Sequence, residues 1–305
     1  MKLKALLIYI GLICAMIIWG FSFIWSKQVF LYYTPFEAIL FRLLISALFM
    51  IGFGFWFKLI QPVSRKDIVT LVLLSFLEPF LYYIGEYFGL SQVSSTITAV
   101  VISTIPLFSP IAAYLFFREK VTVMNFIGII VSIFGVLLVI LRYDLTFSAS
   151  WTGIAFLALS VLVAIFYGVI ISKLSVRLNP YTIVAYQNGF GIIWFLPFFL
   201  TFDFVHFMSV GFVLEPFIYL TLLAIFASSL AYIFNTYGIQ QLGIIRSSIF
   251  TNTIPVFTAL FAYFFYGENM TLLNLSGIFL VVLGLFLSQT GRIFSKVRVP
   301  IIPEG

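Results

Sequence analysis

Long apolar runs dominate the pattern of hydrophobic and polar positions along this chain. Short segments that carry most of the charged residues separate ten such runs. A helix of about 20 apolar residues spans the hydrocarbon core of a bilayer. The pattern therefore predicts an all-α integral membrane protein with ten transmembrane helices, at residues 6–25, 36–57, 68–89, 96–117, 122–141, 152–171, 181–201, 214–237, 247–266 and 272–289.

One block of sequence occurs twice, as TIPLFSPIAAYLFFRE at 104–119 and as TIPVFTALFAYFFYGE at 253–268. The offset of 149 residues needs no gap from position 83 to position 139 of the first copy. A spacing this long lies outside the periods of solenoid repeats and indicates a duplicated unit. We expect two five-helix repeats, at residues 1–145 and 146–305. The same offset pairs identical residue types in the two copies: Tyr83 with Tyr232, and Pro106 with Pro255.

Composition excludes a soluble globule. Hydrophobic residues make up 63% of the chain and charged residues 9%, whereas a soluble domain is typically about 25% charged. The single cysteine, Cys14, cannot form a disulfide within the chain, and we interpret it as a small core residue.

The basic residues predict the orientation of the chain. With the N-terminus in the cytoplasm, 13 of the 16 Lys and Arg residues fall in cytoplasmic segments, 2 fall on the other side, and Arg42 lies within a span. Lys and Arg favour short cytoplasmic loops. We therefore expect a multi-pass protein of the cell inner (plasma) membrane with both termini in the cytoplasm. The net charge of +6 is then a topology signal and indicates no nucleic-acid partner.

Five helices in each repeat are an odd number, so the second repeat must enter the membrane from the opposite face. The predicted fold is thus a pair of inverted five-helix repeats. Many secondary transporters use this arrangement to build a site near the bilayer midplane that opens alternately to each side. Two similar halves give two states of similar energy, and a bound ligand can shift the balance between them.

Several short motifs resemble the EamA-type families of the drug/metabolite transporter superfamily. They are Trp19-Gly20 in the first span, Arg42 in the second, and the twice-used block Pro-x-Phe…Glu-x-x-Thr…Gly-x6-Gly. The resemblance covers essentially the whole chain. It implies a central cavity formed by both halves, with the fourth and ninth helices lining it and the fifth and tenth packed at the periphery.

This resemblance leaves the substrate open, because members of these families carry amino acids, other metabolites or drugs, and eukaryotic relatives carry nucleotide sugars. The chain also departs from the family pattern at two places. Glu78 stands in the third span where a small residue is expected, and Asn252-Thr253 is more polar than the family requires.

Three ionisable residues lie well within the predicted spans, and all three belong to the first half: Arg42, Glu78 and Glu86. The repeat offset pairs Glu78 with Ala227 and Glu86 with Asn235, so the two halves differ in charge. Ionisable residues in a membrane are costly and usually face protein or water. We interpret this asymmetry as functional.

Glu78, Tyr82 and Glu86 follow one stripe of the third helix. Arg42 lies at the depth of Glu86, which suggests an ion pair that either fixes the helix register or exchanges partners during transport. Glu78 has no obvious partner in the sequence, and we expect it to couple protons or to bind a substrate ammonium. A purely structural role is the alternative for each of the three ionisable groups.

Pro106 and Pro255 each remove a backbone donor from a helix. Ser103-Thr104 and Asn252-Thr253 precede them and can satisfy the freed carbonyls or face a substrate. We interpret the two prolines as hinges of cavity-lining helices, with packing kinks as the alternative. Gln187, Asn188 and Asn235 add polar groups that suit either a site or contacts between helices.

Aromatic residues make up 20% of the chain, and most are expected to face lipid. We expect Trp19, Tyr82, Tyr83 and Tyr232 near the cavity, on family analogy. Small residues form one face in each of two spans, which indicates close packing within the monomer or in a weak homodimer: Gly128, Ser132 and Gly135, and Gly277 and Gly284. Glu119 and Glu268 are expected to have structural roles at turns, and His206 to be solvated in a loop.

The sequence predicts a secondary transporter that moves a small metabolite, such as an amino acid, by alternating access, and the family resemblance favours export. An uptake permease, a channel and a membrane-embedded enzyme are the alternatives. No phosphate-binding loop and no metal-ligand spacing is present in the sequence, so we expect neither catalysis, nor a cofactor, nor a metal. The driving gradient is left open between protons, an exchanged metabolite and the substrate itself.

Overall fold

In a computed structural model of the chain, the structure describes residues 2–108, 123–140, 149–243, 247–248, 250–267 and 270–293. These residues form helices with short connections and contain no strand. Ten helices are named here in chain order, with each π-helical turn counted in the helix that contains it: α1 Lys2–Val29, α2 Pro35–Trp56, α3 Arg65–Gln92, α4 Ser95–Phe108, α5 Val123–Ile140, α6 Trp151–Leu174, α7 Pro180–Val210, α8 Leu214–Leu242, α9 Ile254–Tyr266 and α10 Leu272–Ile293.

Six of these helices are long and apolar enough to cross a membrane: α1, α2, α3, α6, α7 and α8. The other four are shorter apolar helices in the described ranges. The all-helical membrane fold is therefore confirmed, while the count of ten crossings stays a prediction. Glu119, Thr122 and Glu268, at the predicted turns, lie outside the described residues.

Polar residues cap the starts of α2 and α7. The hydroxyl of Thr34 accepts a hydrogen bond from the Glu37 amide (3.4 Å), and the Glu37 carboxylate accepts one from the Thr34 amide (2.7 Å). This capping box, followed by Pro35, fixes the start of α2. Asn179 caps α7 in the same way, ahead of Pro180. The helices α2 and α7 thus share one start signal in the two halves.

The two halves interlock. In the first half, α1 and α2 pack against α8 of the second half, and α6 and α7 of the second half pack against α3 of the first. In addition, α2 and α7 pack against each other. Each half thereby completes the packing of the other, and the third helix of each half, α3 or α8, is enclosed by helices of the opposite half.

The small-residue faces of α5 and α10 pack against each other within the chain. A Cβ atom on Gly135 would lie 2.7 Å from the Gly277 carbonyl, and one on Gly284 would lie 2.4 Å from Ser132 Oγ. The Ser132 hydroxyl donates to the Val281 carbonyl (3.1 Å). The intramolecular interpretation of these faces is therefore confirmed. Large apolar residues on the outward sides of both helices are exposed, as for lipid contact: Phe126, Phe134, Phe279 and Phe286.

One helix is longer than its apolar pattern predicts. The seventh span was expected to end at 201, but α7 continues through a π-helical turn, Phe199–Asp203, to Val210. His206 therefore lies on a helix and not in a loop. Polar and aromatic residues alternate in this stretch, so an apolar-run criterion stops before the helix does.

Candidate functional site

The third helix of each half contains a π-helical turn at a repeat-related position. The turn in α3 spans Phe76–Leu81, and the turn in α8 spans Leu223–Leu230. With the offset of 149 residues, 76–81 corresponds to 225–230. Wide π-helical turns disturb the regular hydrogen bonding of a helix and often occur at functional sites. The two turns bring backbone polar groups into the interior where the halves meet.

Glu78 lies in the π-helical turn of α3 and is buried. Its backbone is extended (φ −139°, ψ 118°) and Pro79 follows it, so the helix is interrupted at this residue. The Tyr232 hydroxyl of α8 donates to Glu78 Oε1, and Gln187 Nε2 of α7 donates to the Glu78 carbonyl (2.8 Å). The sequence showed no partner for Glu78, whereas the structure supplies one from the other half of the chain.

A narrow cavity adjoins this carboxylate. Its wall includes Glu78, Pro79 and Tyr83 of α3, Gln187 and Asn188 of α7, and Tyr232 of α8. Both halves thus contribute, as the resemblance implied. The fourth and ninth helices were expected to line the cavity, but neither α4 nor α9 contributes to the wall of this one. The helices that enclose the cavity are instead α3 and α8, which contain the two π-helical turns, and α7.

Arg42 is buried on α2 beside the cavity. Its Nε donates to the Ser228 hydroxyl in the π-helical turn of α8, and its Nη1 donates to the Tyr87 hydroxyl (2.7 Å). The guanidinium carbon lies 4.6 Å from the centre of the Tyr83 ring, within cation–π range. The sequence did not single out Ser228 or Tyr87, because hydroxyl groups are common in apolar helices and carry no charge signal.

The structure contains no direct Arg42–Glu86 ion pair among its described residues. Similar depth in the membrane had suggested one, but neutral hydroxyls take the two donors of Arg42 that form hydrogen bonds. Glu86 is buried two turns beyond Glu78 on the same helix, with Tyr82 between them along that face. Neither Glu86 nor Tyr82 lines the cavity beside Glu78.

Uncharged polar residues connect the helices around the site. Asn188 Nδ2 lies 2.7 Å from Ser46 Oγ and 3.1 Å from the Ser228 carbonyl, and donates to both. The hydroxyls of Ser46 and Ser229 are 2.7 Å apart. Asn188 therefore joins α2, α7 and α8, as expected of a contact between helices; it also lines the cavity, and its role in a site stays a prediction. Asn235 is half-buried and does not line the cavity.

Trp19 lies close to the cavity, beside Tyr232. Its ring meets the Tyr232 ring edge-on with centroids 5.2 Å apart, and its Nε1 donates to the Ala227 carbonyl (3.3 Å). Ala227 is the repeat mate of Glu78 and lies in the π-helical turn of α8. The Trp19 indole thus satisfies a carbonyl of that turn and fixes the position of the Tyr232 ring.

Pro106 and Pro255 follow interruptions in their helices. Each occupies the second position of a resumed helical segment, after a turn at Ser103–Thr104 in α4 and after a 3-10 turn before α9. The hydroxyls of Thr104 and Thr253 donate to the carbonyls of Val101 and Phe250, which are themselves repeat mates. The carbonyls that the prolines free belong to Ile102 and Thr251, one residue later, so the expectation that these hydroxyls satisfy the freed carbonyls stays a prediction, as does the hinge role. Asn252 is buried beside Thr253, outside the cavity wall.

A cluster that we call the first clasp joins the start of α2 to the end of α7: Thr34, Glu37, Asp203 and His206. The Thr34 hydroxyl donates to Asp203, and His206 Nδ1 lies 2.8 Å from Glu37 Oε1. His206 is 42% exposed, as expected of a solvated residue, but its hydrogen bond to the fully buried Glu37 was not foreseen.

A related cluster, the second clasp, joins the segment after α2 to the start of α7: Leu59, Gln61, Asn179 and Thr182. Asn179 Nδ2 donates to the Leu59 carbonyl (2.9 Å), and the Gln61 amide donates to Thr182 Oγ1 (2.9 Å). The two clasps lie at opposite ends of the packed pair α2 and α7. The first joins the capped start of α2 to the last turns of α7, and the second joins the capped start of α7 to the segment after α2.

These features define a class of protein. An all-helical membrane chain whose two interlocked halves enclose a polar, ionisable site is a multi-pass membrane transporter. The sequence profile of the EamA-like transporter family matches the chain twice, at residues 6–141 and 151–290. The chain therefore belongs to the EamA-like transporter family, and the predicted resemblance is confirmed.

Known relatives agree with this assignment. An uncharacterized transporter of Archaeoglobus fulgidus is 24% identical over 275 residues, which is 90% of this chain and 94% of that one. The uncharacterized transporter YetK of Bacillus subtilis is 27% identical over 289 residues, or 92% and 86% of the two chains. A crystal structure of a protein that is 15% identical superposes with a TM-score of 0.68 over 92% of this chain and 95% of its own, which shows the fold alone.

Proposed function

We propose that this chain is a secondary transporter that exports a small amphipathic metabolite from the cell by alternating access. The observation that carries this proposal is the buried Glu78 carboxylate beside a cavity whose walls come from both halves. Movement of one half against the other would change the access to such a site. A single chain supplies the whole site, so a monomer is sufficient for function.

The chemistry of the site favours a substrate with a positively charged group. Two carboxylates and one guanidinium are buried at this level of α2 and α3: Glu78, Glu86 and Arg42. If Glu86 offsets the charge of Arg42, Glu78 is left for a substrate ammonium or a proton. Tyrosine rings on the cavity wall add cation–π attraction for an ammonium. An amine-bearing metabolite such as an amino acid fits these groups.

The two clasps support alternating access. They close both ends of the α2–α7 pair, so a substrate at Glu78 would reach one side of the membrane when one clasp opens. We further propose that the chain lies in the plasma membrane with its termini in the cytoplasm, since 13 Lys and Arg residues lie on that side and 2 on the other. This orientation places the first clasp at the outer face.

An untargeted metabolite comparison of culture medium tests the proposal. Cells express wild type, Glu78→Gln or Glu215→Gln at matched membrane levels. The control makes the same carboxylate-to-amide change at an exposed residue of α8. We expect one class of small molecule to accumulate outside with wild type and with Glu215→Gln, and export to fall at least about tenfold with Glu78→Gln because the buried anion is lost. Media that all match the empty vector would contradict export and favour an uptake permease.

A further inference from the structure

Two repeat-related tyrosines face opposite charges on the cavity wall. Tyr83 and Tyr232 are 149 residues apart in sequence, and both line the cavity. The Tyr83 ring lies 4.6 Å from the guanidinium carbon of Arg42, whereas the Tyr232 hydroxyl donates to the Glu78 carboxylate. The repeat mate of Glu78 is Ala227, which offers no side-chain acceptor. Divergence of the two halves has therefore given only Tyr232 a carboxylate partner.

Trp19 of α1 fixes the position of the Tyr232 ring. Trp19 packs edge-on against its ring at 5.2 Å, and the Trp19 indole is itself held by the Ala227 carbonyl. The Tyr232 hydroxyl comes from the second half and the Glu78 carboxylate from the first. Their hydrogen bond thus joins the two halves at the cavity wall and occupies the carboxylate that the proposed function assigns to the ligand.

We propose that Tyr232 is a specificity-determining latch: its hydroxyl holds Glu78 in the empty transporter, and the ammonium group of a bound organic cation displaces it. A phenol offers a carboxylate one donor and no formal charge, whereas an ammonium offers up to three donors and a full positive charge that attracts the carboxylate. A neutral ligand of the same shape has no such advantage over the hydroxyl. The latch therefore selects for cations at the first contact with the site.

After it displaces the Tyr232 hydroxyl from Glu78, the ligand would lie among groups that attract a cation. The rings of Tyr83 and Tyr232 both border the cavity, and aromatic faces attract an organic cation. Arg42 does not line this cavity wall, and the Tyr83 ring lies against its guanidinium. This inference rests on the proposed transport function, but the occupancy of Glu78 can be measured without any transport.

A hydrophobic carbodiimide, which modifies buried carboxyl groups, is the direct probe. Membranes that contain wild type, Tyr232→Phe or Tyr83→Phe are labelled, and the adduct on the Glu78 peptide is followed over time by mass spectrometry. Glu78→Gln and Glu86→Gln assign the signal. We expect Tyr232→Phe to speed the labelling of Glu78 at least threefold, because its only side-chain donor in the described contacts is gone. Tyr83→Phe, the repeat mate, should stay within twofold of wild type.

Displacement is tested by protection against the same reagent. N,N-dimethyl-2-phenylethylamine is compared with 2-phenylethanol, a neutral analogue; the tertiary amine is chosen because it forms no stable amide with an activated carboxyl. We expect the amine alone to protect Glu78, and to do so at a lower concentration in Tyr232→Phe than in wild type, since the competing hydroxyl is absent.

Three results would overturn the inference: unchanged labelling in Tyr232→Phe, equal protection by amine and alcohol, or no protection by either. If Tyr232→Phe is not recovered as folded protein, Trp19→Phe removes the indole that positions Tyr232 and should accelerate labelling by a smaller factor; an unchanged rate there would count equally against the latch. Failure of the export assay would leave these results intact, because labelling requires no transport.

Discussion

At the scale of single residues, Arg42 connects more of the structure than its place in the sequence suggests. It lies on α2, reaches the π-helical turn of α8 through Ser228, and reaches α3 through Tyr87 and the Tyr83 ring. A planar guanidinium serves all three contacts at once, which a lysine ammonium cannot do. We infer that Arg42 positions the two halves next to the site, while its role in substrate binding or coupling stays a prediction.

This role predicts a specific energetic coupling. Arg42→Lys should destabilise the protein by about 1.5–3 kcal/mol, the range for hydrogen bonds to charged groups, and Ser228→Ala by about 1 kcal/mol. The double variant should lose less than the sum of the two, because both changes remove the same hydrogen bond. Unfolding of the detergent-solubilised protein measures all three. Strict additivity would show that Arg42 and Ser228 do not act together.

Charge explains which residues of the site could be predicted. Glu78, Glu86 and Arg42 stand out because ionisable groups are rare in apolar helices, and the structure buries all three. Their partners could not be read from the sequence. Whether Arg42 meets Glu86 or the Ser228 hydroxyl depends on side-chain directions set by the π-helical turns, and depth along a helix does not contain this information.

At the scale of helices, the pair α5 and α10 depends on glycine. A Cβ atom on Gly277 would lie 2.7 Å from the Gly135 carbonyl and 2.6 Å from a methyl group of Val139. Contacts this short force backbone to move away from backbone. The spacing of these glycines predicted the contact face correctly, because a seven-residue interval keeps small residues on one side of a helix.

We therefore expect Gly277→Ala to destabilise the protein by about 1–3 kcal/mol, the range for overpacked interiors. Gly52→Ala is the matched control, since a Cβ atom added at this position of α2 would meet no other atom within 4 Å. This control should be neutral or stabilise its helix by up to about 1 kcal/mol. Thermal unfolding in detergent compares the two. Equal melting temperatures would mean that α5 and α10 can separate without cost.

The sequence does not fully predict the two π-helical turns in α3 and α8. In α3, Pro79 signals an interruption, although not its type. In α8, the stretch Leu223–Leu230 contains neither proline nor glycine, and its apolar pattern reads as an unbroken helix. The turn there is matched by tertiary contacts, namely the hydrogen bonds from Trp19, Arg42 and Asn188. These partners are distant in the sequence, so the local sequence of α8 does not predict the turn.

At the scale of the whole molecule, duplication has produced two closures of similar plan and different chemistry. Both clasps use a capped helix start followed by proline, at Thr34-Pro35 and at Asn179-Pro180. The first clasp contains two carboxylates and a histidine, whereas the second relies on amide and hydroxyl groups. If transport proceeds by the proposed alternating access, the related plan would suit two states of similar energy, and the different chemistry would let each side open under different conditions.

Alternating access requires that either closure, when locked, stops transport. In a Cys14→Ser background, the pairs Thr34→Cys with Asp203→Cys and Gln61→Cys with Thr182→Cys place thiols across the first and second clasp. We expect oxidation of either pair to reduce export at least about tenfold, and a reducing agent to restore it, because both sides must open once in each cycle. Each single cysteine variant, treated in the same way, controls for damage by the oxidant.

The same variants separate the proposed mechanism from a channel. A pore that is open to both sides at once has no clasp that must break in each cycle, so at least one locked pair would leave the flux near the level of its single-cysteine controls. The orientation is tested as well. In intact cells a membrane-impermeant reducing agent should restore export through the first clasp only, because the distribution of Lys and Arg predicts that this clasp lies outside. Recovery of the second pair instead would reverse the assigned topology while leaving alternating access in place.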